Sequence, residues 1–448
     1  MTNSGQARSL EPSLGFEESR RLQSVSHSVI PGGSHTYAKG DDQYPEESPV
    51  FIARGSGCHV WDADGNEFIE YGMGLRTVTL GHAFEPVVSA AHRQMLAGTN
   101  FSRPAVIEVE FAEEFLSIIP NSAMVKFAKN GSDVTTAAVK LARAYTGRDL
   151  VAVCADHPFF SVDDWFIGRT ETSAGIPKAV QDMTVSFRFN SINGLEELFS
   201  RYPNRIACLI MEAATAEEPQ DNFLQKAKRL CEENGCLFIL DEMITGFRWH
   251  LNGAQSVYGI VPDLCTFGKG MGNGFAIAAL AGRREIMQLG GLNHSQPRVF
   301  LLSTTHGAET HALAAARATL QIYRERNVVE HLYQQGDRLR AGIAACGARH
   351  GISQFFDVIG LSCNLIYATR DENGQPSQQF RTLFLQELCR RGIIAPSFVV
   401  SFSHSDEDID QTIDAVDQVF RIYKRALEDG IEKYLSGRPV KPVNRRYN

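Results

Sequence analysis

Gly235-Cys236-Leu237-Phe238-Ile239-Leu240-Asp241-Glu242 is the stretch on which the fold of this chain turns. An unbroken apolar run that ends in two carboxylates reads as a parallel strand buried on both faces, delivering an acid to the carboxyl edge of its sheet. Further along, Thr266-Phe267-Gly268-Lys269-Gly270-Met271-Gly272 sets a lysine between glycines. Neighbours without side chains leave its amine open to a small electrophile. A strand-end acid and a lysine on a glycine-rich turn suit pyridoxal phosphate, which takes a lysine for its covalent link and an acid against its pyridinium nitrogen. The Gly-Lys-Gly turn alone is weak evidence, because most lysines of a 448-residue chain are solvated surface charges.

Outward from this pair, strands and helices alternate. Strands are expected over Ala123 to Ala128, Leu150 to Cys154, Ile206 to Met211 and Leu237 to Leu240. Helices are expected over Pro86 to Leu96, Val106 to Ile119, Asp133 to Thr146, Leu224 to Asn234, His311 to Tyr323, Val328 to His350 and near Asp406 to Tyr423. An irregular stretch fills the chain from Cys154 to about Val185. This alternation predicts an α/β protein with a large, doubly wound, mostly parallel sheet. Short strands at Val50 to Ala53 and Gly57 to Trp61 flank the turn Asp62-Ala63-Asp64-Gly65-Asn66. The segment Gly437 to Asn448, with four basic residues and two prolines, reads as an extended tail.

Composition narrows the class. Hydrophobic residues make up 43% and charged residues 21%, the balance of a soluble globular enzyme. A net charge of -8 argues against nucleic acid as a partner. No apolar run approaches the roughly 18 residues of a membrane span. Met1 to Ser13 is polar and lacks the apolar core of a secretion signal. The nine cysteines are scattered without metal-ligand spacing, so reduced thiols, a cytoplasmic location and no metal are expected.

Asp241-Glu242-Met243-Ile244-Thr245-Gly246-Phe247-Arg248 and Pro262-Asp263-Leu264 through Gly268-Lys269 resemble the Asp-Glu-Val-x-Thr-Gly-Phe-Arg and Pro-Asp-Leu-x-x-x-Gly-Lys words of class III aminotransferases. The branch that the chain resembles is that of the glutamate-1-semialdehyde 2,1-aminomutases. Ile30-Pro31-Gly32-Gly33, Trp61 to Asn66, Leu80-Gly81-His82 and Ala395-Pro396-Ser397 match as well, so the resemblance runs from about Ile30 to about Val416. It implies the fold type I transferase architecture, with a smaller α+β domain assembled from the two chain ends. The expected division is 1–85 and 331–448 for the small domain and 86–330 for the large, cofactor-binding one. A homodimer with shared active sites is also implied.

Carried onto this chain, the resemblance makes Lys269 the residue linked to the cofactor and Asp241 the partner of its pyridine nitrogen. Met243, taken as lying in an extended segment on the face of Asp241, would sit beneath the ring or be plain core. Asn130, Gly131 and Ser132 stand where the family has Ser-Gly-Thr, between a strand and a helix. Their turn would cradle the phosphate, with Ser132 adding a hydroxyl or capping the helix. Thr305 matches a threonine that reaches the neighbouring subunit's phosphate, and Glu212 a strand-end glutamate near the ring. Arg248 would hold either an anionic substrate group or a carboxylate such as Glu242.

The departures lie on the substrate side. The family's aromatic-His-Gly word is absent, so Phe159 or Phe160 is expected to stack on the ring. His157 is either polar support or a substrate contact. Lys39 falls where the aminomutases carry a carboxylate-binding arginine, Leu75-Arg76 where they carry a tryptophan, and Phe398-Val399-Val400 replaces their Gln-Phe-Glu. Lys39, Arg76, Arg103 and Arg248 are the candidates for pairing a substrate carboxylate. The word Phe159-Phe160-Ser161-Val162-Asp163-Asp164-Trp165 is similar to one found among sugar-modifying aminotransferases. Three functions follow as alternatives: an aminotransferase with glutamate as donor and a keto or aldehyde acceptor, a true aminomutase, or an idle binding protein on the same fold.

Overall fold

The computed structural model describes residues 14–119, 121–443 and 445. The expectation of a polar start over Met1 to Ser13 lies outside these residues, as does much of the tail end. The first sheet begins with β1 (Ile52–Ser56), β2 (His59–Asp62) and β3 (Glu67–Glu70), an antiparallel meander. Its β2–β3 turn closes on Asp62, whose Oδ1 accepts the amides of Asp64 at 3.0 Å and Asn66 at 2.7 Å.

The main sheet takes β4 (Met124–Ala128), β5 (Leu150–Cys154), β6 (Thr184–Phe187), β7 (Ile206–Glu212), β8 (Leu237–Asp241), β9 (Leu264–Phe267) and β10 (Ala278–Gly282), in the order β4-β10-β9-β8-β7-β5-β6. Pairing is parallel from β9 through β8, β7 and β5 to β6. Only β10 runs against its neighbours, β4 and β9. A hairpin of β11 (Phe356–Ile359) and β12 (Ile366–Thr369) follows. Then β13 (Ile393–Ile394) pairs in parallel with β3, so the first sheet is completed from the far end of the chain.

The strands β6, β9 and β10 and the helix Ile192–Arg201 were not anticipated from the sequence. β6 and β9 are four residues long, too short for a period to show. β10 reads Ala-Ala-Leu-Ala-Gly, without the β-branched residues that mark strands.

Side chains alternate across the sheet with period two, and this assigns each residue its face. On β7 and β8, Leu209, Met211, Phe238 and Leu240 join one buried core, while Cys208, Ile210, Leu237 and Ile239 join the other. The second core includes Val134, Ala137, Ala138 and Leu141 of the helix Gly131–Thr146. By the same alternation Glu212 and Asp241, at the ends of these strands, share the face covered by that helix. Thr266 of β9 shares it too, two residues beyond Leu264 of the same core.

Candidate active site

The register brings the polar ends together. Glu212 of β7 lies directly opposite Asp241 of β8, and Asp241 opposite Thr266 of β9. Asp241 is 1% exposed. Its Oδ1 accepts the Met243 amide at 2.9 Å and the Thr266 hydroxyl at 3.1 Å. Both bonds fall on one oxygen, so Oδ2 takes none among the described residues. Lys269 follows at the end of β9, in the turn Lys269–Gly272, with a positive φ of 36°. It stays partly accessible while its amine stands among buried carboxylates.

Burial governs the charges here, because removing an ion from water disfavours its charged form. It pushes Asp241 up to about 6, against the pull of the Lys269 ammonium and the two hydrogen bonds. Glu212 goes up to about 8, through burial and then through the charge of Asp241. Lys269 is held below its ordinary value, again by burial first, with Glu212 and Asp241 opposing. The cluster therefore shifts a lysine amine toward its neutral, nucleophilic form beside an acid that a positive ring nitrogen would ionise.

The helix Gly131–Thr146 begins against this cluster. Its cap is Asn130, whose Oδ1 accepts the Asp133 amide at 3.2 Å, while Asp133 Oδ2 accepts the Asn130 amide at 3.1 Å. The helix thus starts two residues earlier than expected, and Ser132 is not its cap. The Ser132 hydroxyl instead accepts the Val162 amide at 3.0 Å and ties the following loop down. The amides of Gly131 and Ser132 belong to the first helical turn, where no intrahelical acceptor exists. Met243 packs between this turn and the lysine turn. A Cβ on Gly131 would come within 3.0 Å of Met243 Sδ, and one on Gly268 within 2.7 Å. Glycine at both places leaves the room that the methionine occupies. Met243 is not in an extended segment, because the chain turns straight after Asp241, with the Gly246 amide donating to Glu242 O at 2.9 Å.

Two residues whose roles the sequence left open have partners within the chain. Arg248, 1% exposed, does not pair with Glu242. Its Nη1 donates to the carbonyls of Cys363 and Val400 and its Nη2 to Thr79 Oγ1, each at 3.0 Å. Glu242 is taken by the Thr245 hydroxyl and by the amides of Ala254 and Gln255, both at 2.9 Å. His157 is support for the strand end. Its Nδ1 accepts the Glu212 amide at 3.0 Å, and burial lowers it to about 4, so it is neutral with its proton on Nε2.

Of the two phenylalanines, Phe160 is 2% exposed and packs edge-on against Phe166 in the core, whereas Phe159 is 48% exposed and keeps an open face. Thr305 lies on an exposed segment, its carbonyl accepting from Asn100 Nδ2 at 3.0 Å. The side chains of Lys39 and Arg103 are exposed and make no hydrogen bond or ion pair among the described residues. Neither is drawn to the cluster within one chain.

Arg76 is drawn to it. The turn Met73–Arg76 packs against Lys269–Gly272. Its four residues have φ of 43°, 58°, 58° and 73°, a left-handed stretch that costs roughly 1–2 kcal/mol for each of its three side-chain-bearing members. Such strain persists only where the surroundings over-determine it. Burial, and then the charge of Arg248, lowers Arg76 to about 10. Thr266 escaped sequence reading as an Asp241 partner because its role follows from strand register, and the bond of His157 to the Glu212 amide joins segments 55 residues apart.

Away from this cluster, Cys58, His59 and Asp408 bring three potential ligand atoms within 4.8 Å of one another. The Cys58 thiol donates to Asp408 Oδ2 at 3.3 Å, and burial raises it, so it is held as a neutral donor.

Comparison with known proteins agrees with this geometry. The sequence profile described as "Aminotransferase class-III" matches residues 41–420. A glutamate-1-semialdehyde 2,1-aminomutase of Persephonella marina is 32% identical over 91% of this chain and 99% of its own. Among solved structures, the FumI protein of Sphingopyxis sp. MTA144, in its PLP internal aldimine form, is 27% identical with a TM-score of 0.84, over 92% of this chain and 97% of its own. An omega-transaminase from Sphaerobacter thermophilus is 25% identical with a TM-score of 0.82, over 91% and 98%.

Proposed function

The chain belongs to the class III aminotransferase family, and from that premise we propose that it moves an amino group from an amino-acid donor, glutamate, to a keto or aldehyde acceptor of sugar or natural-product type. It is a pyridoxal-phosphate-dependent enzyme of the fold type I architecture. The residues present fit that cofactor: a desolvated amine, a buried acid with a free oxygen, and a helix start built on glycine.

In this reading Lys269 Nζ would hold the cofactor and serve as the site's proton carrier. Asp241, with Oδ2 unbonded among the described residues, would be the acid facing the ring nitrogen. The cofactor, when bound, supplies the electron sink that acidifies the C–H beside the nitrogen it holds. Gly131 and Ser132, at the start of the helix, would hold the cofactor's phosphate with their amides and the favourable end of the helix dipole. Phe159 offers a ring face, and Met243 packs beneath. Glu212, kept protonated, adds no second charge beside Asp241. His157 fixes the strand end that carries Glu212.

The observation that favours amino transfer over the aminomutase reading is the fate of the aminomutase positions. Phe398 is 0% exposed, its ring 5.6 Å from Tyr71 and 5.3 Å from Tyr367, so the segment after Ser397 is core and not a substrate loop. Lys39 points to solvent, and Arg76 stands in place of a tryptophan. The isomerase remains the second reading, favoured by the name of the relative. Incubation of the loaded enzyme with glutamate is expected to bleach its visible band and release 2-oxoglutarate. Alanine and other donors would be run in parallel. No conversion by any donor, together with formation of 5-aminolevulinate from glutamate semialdehyde, would sink amino transfer.

The exposed Thr305 supports a homodimer in which each chain completes its partner's phosphate site. Lys269→Ala and Thr305→Ala subunits, each impaired alone, are then expected to recover activity when mixed, because hybrids hold one intact site. Full activity in a sedimenting monomer would end this reading. No helix among the described residues is long and apolar enough to cross a membrane. All nine cysteines are buried and unpaired, which supports the reducing environment of the cytoplasm.

A further inference from the structure

One short turn from the C-terminal part of the chain holds both arginines of the site. In Ser362–Asn364, the Cys363 carbonyl accepts from Arg248 Nη1 at 3.0 Å, and Asn364 Oδ1 accepts from Arg76 Nε at 2.8 Å. The turn is itself fixed. The Ser362 hydroxyl donates to Asp337 on the helix Val328–His350. A Cβ on Gly336 would lie 1.8 Å from Ser362 O, so glycine at this position is what lets helix and turn meet.

The two arginines are left in different states. Arg248 spends its fork on two carbonyls and a hydroxyl. Arg76 is bonded through Nε alone, and its Nη1 and Nη2 have no partner among the described residues. A guanidinium held by Nε presents its two Nη groups as a planar fork, the geometry that matches a carboxylate. Thr79 places this stretch of chain beside the lysine turn. This residue, three beyond Arg76, takes Arg248 Nη2, and it lies against the lysine turn, where a Cβ on Gly270 would be 2.8 Å from its Oγ1. Glu212 and Lys269 both feel the charge of Arg76.

We propose that Arg76, aimed by Asn364, is the anchor for the carboxylate of the amino-acid substrate, which makes carboxylate-bearing donors the substrate class of this site. Asn364 is a positioning residue and touches no substrate. The inference rests on the aminotransferase reading for its substrate, but its binding geometry can be tested apart from turnover.

The test uses the cofactor-loaded enzyme with Arg76→Gln, Arg76→Lys and Asn364→Ala. Glutarate, a dicarboxylate without an amine, is titrated calorimetrically, and kcat and KM are measured for glutamate, alanine and the uncharged donor 1-phenylethylamine. Arg76→Gln is expected to weaken glutarate about 100-fold and to lower the preference for glutamate over 1-phenylethylamine by a similar factor. Arg76→Lys should lose less, since it keeps the charge without the fork. Asn364→Ala should raise KM for glutamate about tenfold with kcat little changed, which a merely structural role would not produce. It also carries the test if Arg76→Gln fails to fold. Glutarate binding within threefold of wild type in folded, loaded Arg76→Gln would overturn the proposal, as would failure of the wild type to bind glutarate. Arg76-dependent glutarate binding in an enzyme that accepts no amino donor would instead sink amino transfer and leave the anchor standing.

Discussion

Lys269→Ala is expected to abolish turnover, with a loss of at least about 10⁴-fold, or roughly 5 kcal/mol of barrier. Two functions are lost in one substitution. The anchoring amine is gone, and so is the group that carries the proton. Among the described residues, Lys269 is the lysine whose amine burial holds below its ordinary value while two carboxylates oppose. Borohydride treatment of the wild-type holoenzyme should fix the cofactor to the peptide containing Lys269, and mass spectrometry reads this directly. The variant should bind cofactor reversibly and release it on denaturation. Small primary amines should restore a fraction of its activity, because they replace the missing base without the missing anchor. Borohydride-fixed cofactor in Lys269→Ala would move the anchor elsewhere and remove the basis of the site.

Asp241→Asn is expected to lower turnover about 10²-fold, or roughly 2.7 kcal/mol. An amide cannot hold the ring-nitrogen proton with a full charge, and a charge-assisted hydrogen bond is roughly twice as strong as a neutral one. The same substitution carries a stability signature of opposite sign. Burial raises Asp241 to about 6 in the cofactor-free protein, above the ordinary value of about 3.9. The folded state therefore binds this proton more tightly than the unfolded one. Its stabilising contribution is complete below about pH 4 and is lost as pH rises through about 6. Above pH 6 the wild type pays for a buried carboxylate that asparagine does not have. The cofactor-free variant should then be the more stable protein at pH 8, by on the order of 3 kcal/mol, and should match the wild type near pH 4. Thermal midpoints at the two pH values measure it. A cofactor-free variant less stable at pH 8, or near-normal turnover, would show that Asp241 is not the group poised for the ring nitrogen.

Three features of the chain were legible without coordinates because each depends on neighbours in sequence. An apolar run ending in acids specifies a buried strand and its polar end, since burial on both faces leaves no other place for such a run. That places Asp241 at a strand end, whereas the strand-end place of Glu212 came from the family resemblance. Glycines around Lys269 and at Gly131 specify close approach, which the packing of Met243 against Gly131 and Gly268 realises. Long helices such as Val328–His350 declare themselves through their period. Tertiary structure decided the rest. Whether Arg248 meets Glu242 or the carbonyls of Cys363 and Val400 depends on segments more than a hundred residues away. Whether Phe159 or Phe160 keeps an open face depends on which one the core admits. The fork of Arg76 is aimed by Asn364, and Glu212 faces Asp241 through strand register. The physical reason is the same in each case. Local sequence fixes backbone period and charge. A side chain's hydrogen-bond partner and its exposure depend on what packing brings alongside it, and here that comes from opposite ends of the chain.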